Sequence, residues 1–413
     1  MRPFPRSEKA VAWTISVVLG LAALILIGVL VLTGGLDDGD KVGSTQGFEA
    51  RARPVADLGS NRWPEYGYNA QRTRANPDLD LPPPYRRLWK RDLGSLLEFP
   101  PVINNGRLFV GTNKRRAYAL DVRTGRVAWW RKLTGRSAAS PAIAGDLVLF
   151  TTINGYVEAM DQRTSRIVWR RDVGTSTESS PLVVGNRAFV GTLGGLILCM
   201  DTRTGRLIWT ARATGEVKSS LTQAGNQVVV GDYGGRITSI NMRTGRIKWR
   251  TTSPGTFVSG AGAFYANPAF AYGRIYASNV NGRVIALNAR TGAIAWVRVL
   301  GDWAYSSPAV DDETVYVGSY DKKLYALSAV TGGVRWTFDA GERIAGSATV
   351  IGDLVWFSTI ARRPRDGRTY AVTAATGRKV FTLRDGRYTP AVGIDGVLVL
   401  TGVRTLYGLA PAR

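Results

Sequence analysis

The sequence predicts an all-β protein, an eight-bladed β-propeller of four-stranded antiparallel blades preceded by one N-terminal transmembrane helix. Three observations point there: a unit of about 40 residues that recurs along the chain, an aromatic residue at a fixed place in each unit, and one long apolar run near the N-terminus. Composition agrees, because 48 glycines and 12 tryptophans among 413 residues suit many short strands joined by tight turns.

The repeat is read directly. ALDVRTGRVAW, AMDQRTSRIVW, CMDTRTGRLIW, SINMRTGRIKW, ALNARTGAIAW and ALSAVTGGVRW end at Trp129, Trp169, Trp209, Trp249, Trp296 and Trp336, and AVTAATGRKVF ends at Phe381. Successive spacings are 40, 40, 40, 47, 40 and 45, so blades five and seven carry local insertions in a fixed unit. Within one unit, SSPAVDDETVYVGSYDKKLYALSAVTGGVRW, four alternating apolar runs lie between turn residues, which gives four short antiparallel strands and hence one propeller blade. The C-terminal TPAVGIDGVLVLTGVRTLYGLAPAR supplies only three strands. Trp89 in PYRRLWKRDL stands 40 residues before Trp129, in register with the absent fourth strand, so the two chain ends are expected to share the eighth blade within a body spanning 62–413.

At these residues the chain resembles the pyrroloquinoline-quinone-like propeller family, whose docking motif reads A-x-D-x-x-T-G-x-x-x-W. The first copy matches it through Ala119, Asp121, Thr124, Gly125 and Trp129; Ser165 replaces the glycine in the second copy, and Asn241, Asn288 and Ser328 replace the aspartate later. In architecture the chain is similar to the propeller lipoprotein of the outer-membrane β-barrel assembly machinery, although a helix rather than a lipid is expected to tether it. The motif has a structural reading: the acidic or amide side chain closes the turn, glycine permits positive φ, and Trp89, Trp129, Trp169, Trp209, Trp249, Trp296, Trp336 and Phe381 bury flat rings between blades. Cys199 occupies the small-residue position of Ala119 and Ala159 and reads as a packing thiol.

Ala10 to Thr33 is an uncharged, mostly apolar run of 24 positions, long enough as a helix to span a bilayer. Arg2, Arg6 and Lys9 precede it and Asp37, Asp38 and Asp40 follow, so residues 1–9 are expected in the cytoplasm and the rest outside it. Residues 34–61, rich in glycine and acidic residues without sustained periodicity, read as a flexible linker.

The chain has no histidine and one cysteine, which removes Cys/His zinc sites, Ser-His-Asp triads and Cys-His dyads. A net charge of +23 favours anionic partners, and export argues against nucleic acid. Alignment at the S-P step gives one ring of side chains facing the central funnel: Glu98, Ala138, Glu178, Lys218, Tyr265, Tyr305, Ala345 and Arg387. That mixture suits neither a single-sign ion site nor a carboxylate and amide set holding calcium against a quinone; no cofactor is expected. The insertions bring Phe257, Phe264 and Tyr265 in blade five and Arg362, Arg363 and Arg365 in blade seven to the same face, with Trp303 and Tyr305, a candidate partner-binding rim or simply packed loops. On the opposite face, Arg123, Arg126, Arg163, Arg166, Arg203, Arg206, Arg243 and Arg246 recur as a candidate anion-binding arc. The expectation is a non-enzymatic scaffold in the cell envelope whose partner is an envelope protein or an anionic envelope polymer. The alternatives are a quinone-dependent dehydrogenase and a module binding anionic or sugar polymers.

Overall fold

The computed structural model describes residues 40, 47–50, 58–255, 260–363, 366–388 and 391–412. The expected tail, the Ala10–Thr33 helix, much of the linker, Phe257 and Arg365 lie outside them. Among the described residues no helix is long and apolar enough to cross a membrane.

Eight sheets form the propeller, and each of blades two to six is a four-stranded antiparallel meander with its shortest strand innermost. Blade two is typical: Ala142–Ala144, Leu147–Thr152 and Tyr156–Asp161 are mostly buried, whereas the outer Ile167–Asp172 alternates exposed and covered residues. The inner strands therefore read as near-continuous apolar runs and only the outer one shows period two. Blade eight is composite. Tyr85–Asp92 pairs antiparallel with Thr405–Pro411, setting Trp89 opposite Gly408, so a strand from near the start of the body and its last strand close the ring as the spacing of Trp89 required.

Each tryptophan docks on the turn of the following blade. The indole Nε1 of Trp89 donates to Val122 O, Trp129 to Gln162 O, Trp169 to Thr202 O, and Trp209, Trp249, Trp296 and Trp336 continue the series. Each turn is closed by one side chain, Asp or Asn in blades one to five, Ser328 in blade six and Thr373 in blade seven; Asp161 Oδ1, for example, accepts from the backbone N–H groups of Arg163 and Thr164 and from the Thr164 hydroxyl. Those bonds hold the Asp161 carboxyl below its usual range. The turn glycine is sterically required: a Cβ on Gly205 would stand 2.5 Å from the Trp169 ring, and its φ is +69°. Ser165 adopts the same left-handed conformation, φ 61°, without glycine's freedom. Phe381 has no such turn to dock on, because the third and outer strands of blade eight, Thr405–Pro411 and Tyr85–Asp92, are not consecutive and no turn joins them. Its ring packs instead against Tyr85 and Trp356, at 5.3 and 5.4 Å between centroids.

A belt of hydrogen bonds at the S-P step ties the blades together. Backbone N–H groups of Ser140, Ser180, Ser220, Asn267 and Ser307 donate to the side-chain oxygens of Ser180, Ser220, Asn267, Ser307 and Ser347, each on the next blade.

Two sheets carry a fifth strand, which departs from the expected four. Arg62–Trp63 adds antiparallel to blade one and Ala75–Asn76 adds parallel to blade seven. Both belong to a segment that winds through the central channel. Its carbonyls Pro64, Ala70, Gln71, Thr73 and Arg74 accept from Ile143, Gln223, Phe270, Val310 and Val350, the innermost strands of blades two, four, five, six and seven. Glu65 Oε1 accepts from Val183 of blade three and Ser60 O from Asp395 of blade eight, so the segment meets every blade. Arg72, fully buried, pins it by donating to Tyr66 O, to Pro181 O at 3.0 Å and to Leu221 O at 3.0 Å.

Part of the stretch read as a flexible linker lies on blade five. Asp40 bonds Arg298 and the Val299 N–H, Phe48 stacks on Tyr272 at 5.3 Å, and Glu49 N donates to Tyr272 O. An unperiodic, Gly-rich sequence hides this docking because single side chains make it.

Candidate functional site

At the S-P end of the channel the plugging segment stops short of the surface and leaves a cavity of about 290 Å³. Tyr66 of the plug lines it, and six of the eight ring residues surround it: Glu98, Glu178, Lys218, Tyr265, Tyr305 and Ala345. Ala138 and Arg387 do not, although Tyr388, next to Arg387, does. Phe264 is corrected: it is fully buried in the core between blades four and five, not on the rim. A Cβ on Gly231 would clash with its ring, as one on Gly191 would with Val217 and one on Gly318 with Ile344. The residue just before each ring position is thus a packing residue, a rule already legible in Leu97, Val217, Ala304 and Ile344, all buried.

An aromatic ledge flanks the cavity. Tyr265 meets Tyr305 edge-on at 5.4 Å, Tyr305 lies 5.1 Å from Tyr320, and Trp303 covers Tyr320 at 6.0 Å while remaining 53% exposed. Arg343 stands over the Tyr320 ring at 5.4 Å and Lys218 over Tyr233 at 4.7 Å. Burial, reinforced by nearby Glu178 and other groups, pushes the Tyr233 phenol up to about 12 and Tyr265 higher still, so both rings are neutral donors at physiological pH. Tyr233 and Tyr320 were missed in the sequence although both occupy one position of the hairpin between second and third strands (GDYGG and GSYDK). Blade seven's insertion reaches the same neighbourhood: Ile360 N donates to Arg343 O, and Arg362 and Arg363 beyond it are exposed.

On the opposite face all eight arc arginines are exposed. None is ion-paired within 4.0 Å among the described residues. Their turns lie beside the hairpins joining first and second strands, as the Val122 N to Gly106 O bond shows for blade one. Cys199 is fully buried and burial pushes its thiol up to about 11, which fits packing rather than reactivity.

A family model described as outer membrane protein assembly factor BamB matches residues 84–182, 153–302 and 280–409, most of the body. The chain belongs to this BamB-like family of PQQ-type propeller repeats. No curated protein matches its sequence. Among solved structures it is similar to BamB from Moraxella catarrhalis, with TM-score 0.68 and 17% identity over 79% of this chain and 100% of that one. It is also similar to the quinohemoprotein alcohol dehydrogenase of Comamonas testosteroni, with TM-score 0.71 and 16% identity over 87% and 82%. A europium-containing methanol dehydrogenase has TM-score 0.71 and 13% identity over 86% and 99%. At such identities these likenesses show the fold.

The dehydrogenases of similar fold raise the question of a quinone, and the cavity does not fit one held on a metal. Among the described residues no three Asp, Glu, His or Cys groups converge to hold an ion. Glu98 is engaged by Asn113 Nδ2 at 2.8 Å, and the oxygen of Asn267, the one amide side chain of the cavity lining, is spent on the Ser220 N–H at 2.6 Å. The channel beneath is filled by the plug.

Proposed function

We propose that this BamB-like propeller is a non-enzymatic interaction scaffold of the cell envelope, held at the membrane by Ala10–Thr33 and docking an envelope protein at the funnel face. The observation that carries this reading is the ledge of Trp303, Tyr305 and Tyr320. A tryptophan left 53% exposed over two packed tyrosines, with Arg343 beside it, has the aromatic and arginine make-up of an interface anchor. Strand addition at blade edges is less favoured. The outer strands carry Lys90, Arg91, Arg131, Lys132, Arg170, Arg171, Lys248 and Arg250, which blunt them against pairing.

The test is recovery of crosslinked partners from intact membranes by the full chain and by its Trp303→Ala and Tyr320→Ala variants. Loss of a specific partner with an unchanged melting temperature supports funnel docking; an identical set of partners with all three proteins overturns it. The unpaired arginine arc supports a second reading, retention of an anionic envelope polymer on the opposite face.

A further inference from the structure

The funnel cavity has a charge at odds with the rest of the chain. In a protein of net charge +23 its lining holds two carboxylates, Glu98 and Glu178, supplied by different blades. Glu178 takes no hydrogen bond or ion pair among the described residues, and Glu98 is bound only by the neutral Asn113 amide. The lysine of the lining does not neutralise them: Lys218 Nζ lies 3.9 Å from Glu216 Oε2 and over the Tyr233 ring. Arg74 lies behind the plug residue Tyr66, 4.0 Å from its ring centroid, and so occupies one face of that ring. Arg387 likewise stands 5.4 Å from the centroid of the Tyr388 ring, so Tyr265 and Tyr305 remain as aromatic wall. A second, independent feature points to an occupant. Asn267 is only 5% exposed and lines the cavity, and its Nδ2 has no partner although its Oδ1 is bound. A buried amide N–H left unmade is costly unless something fills the cavity with an acceptor.

We infer that the cavity receives a cationic side chain presented on a peptide backbone, an arginine or lysine of the docked partner. The guanidinium or ammonium would meet Glu178 and Glu98 between tyrosine faces, and a neighbouring peptide carbonyl would accept from Asn267 Nδ2. The unpartnered Glu178, with Glu98 bound only by a neutral amide, and the aromatic faces both favour a cation, and the unpaired Asn267 donor favours a carbonyl beside it. A cavity of about 290 Å³ is large enough for one such side chain and too small for a folded element. This deepens the funnel reading and rests on it only for the source of the side chain.

The test uses purified full-length protein and the probe acetyl-arginine N-methylamide, with acetyl-citrulline N-methylamide as its neutral counterpart of nearly the same shape, followed by saturation-transfer NMR and calorimetry. The arginine probe is expected to bind at least ten-fold more tightly than citrulline. Glu178→Gln, at a partly exposed position and expected to leave the melting temperature unchanged, should remove most of that preference, and Asn267→Leu should weaken both probes. Equal binding of the two probes, no arginine binding at millimolar concentration, or a preference untouched by Glu178→Gln overturns the inference. The docking proposal stands or falls separately on crosslinking at Trp303, which uses no small probe.

Discussion

Arg72 gives the sharpest test of the plug. It is fully buried, donates to three carbonyls and lies 3.6 Å from Glu65 Oε2, which is itself buried. Arg72→Met keeps the aliphatic volume and removes every donor, stranding those carbonyls and the Glu65 carboxyl. Breaking a buried pair from one side costs about 3–5 kcal/mol. With an unfolding entropy of about 2.1 cal/mol/K per residue over about 350 residues, that lowers the melting temperature by roughly 4–7 °C. Removing both charges, in Arg72→Met with Glu65→Gln, should cost less than the two single changes together, with a coupling of about 1–3 kcal/mol. Denaturant titration of the four proteins, followed by tryptophan fluorescence, measures it. A stability for Arg72→Met within about 0.5 kcal/mol of wild type, or strictly additive costs, would refute the idea that this pair locks the segment across the channel.

Ser165→Gly should stabilise the protein by about 1 kcal/mol, since it relieves a left-handed serine at the turn where Trp129 docks; a destabilised variant in the same titration would contradict the strain. Gly205→Ala should destabilise it, because the new methyl meets the Trp169 ring and φ is positive; unchanged stability would mean that the turn is loose. Burial, partly offset by Arg72, pushes Glu65 up to about 7 from 4.5. A raised value means that the folded state holds the proton more tightly, so this contribution is complete below pH 4.5 and is lost as pH rises through 7. Stability measured across that window should fall with pH, and Glu65→Gln should flatten the slope; an equal slope in both proteins would assign it elsewhere. Charge reversal at Arg163 and Arg203 should weaken salt-sensitive retention on an anionic polymer while leaving funnel crosslinks intact; retention unchanged by both substitutions removes the arc from the account.

The propeller was legible because its blades are encoded locally. Each turn states its own version of Asp-x-x-Thr-Gly and each outer strand its tryptophan, or Phe381 in blade seven, and Trp89 disclosed ring closure through spacing alone. The plug was not legible. Arg62–Trp63 and Ala75–Asn76 are two-residue strands, and the chain between them bonds through backbone carbonyls, so no periodicity marks it. Arg72 and Arg74 look like surface cations in a sequence and prove fully covered. At the funnel six of the eight ring residues were placed by the S-P alignment, but their partners were not. Tyr66 comes from the plug, Tyr233 and Tyr320 from hairpins, and Asn267 from a belt position that serine fills in blades two, three, four, six and seven. Phe264 was misplaced by one residue of register, which in a chain alternating between core and funnel exchanges one for the other.

The central claim is that the funnel, not the arginine face, is where this protein meets its partner. Photo-crosslinking residues placed at Trp303 and, in a second protein, at Arg163 compare the two faces in intact envelopes within one experiment. The account predicts a discrete protein adduct from position 303 and none from position 163. Discrete adducts from position 163 alone would contradict it.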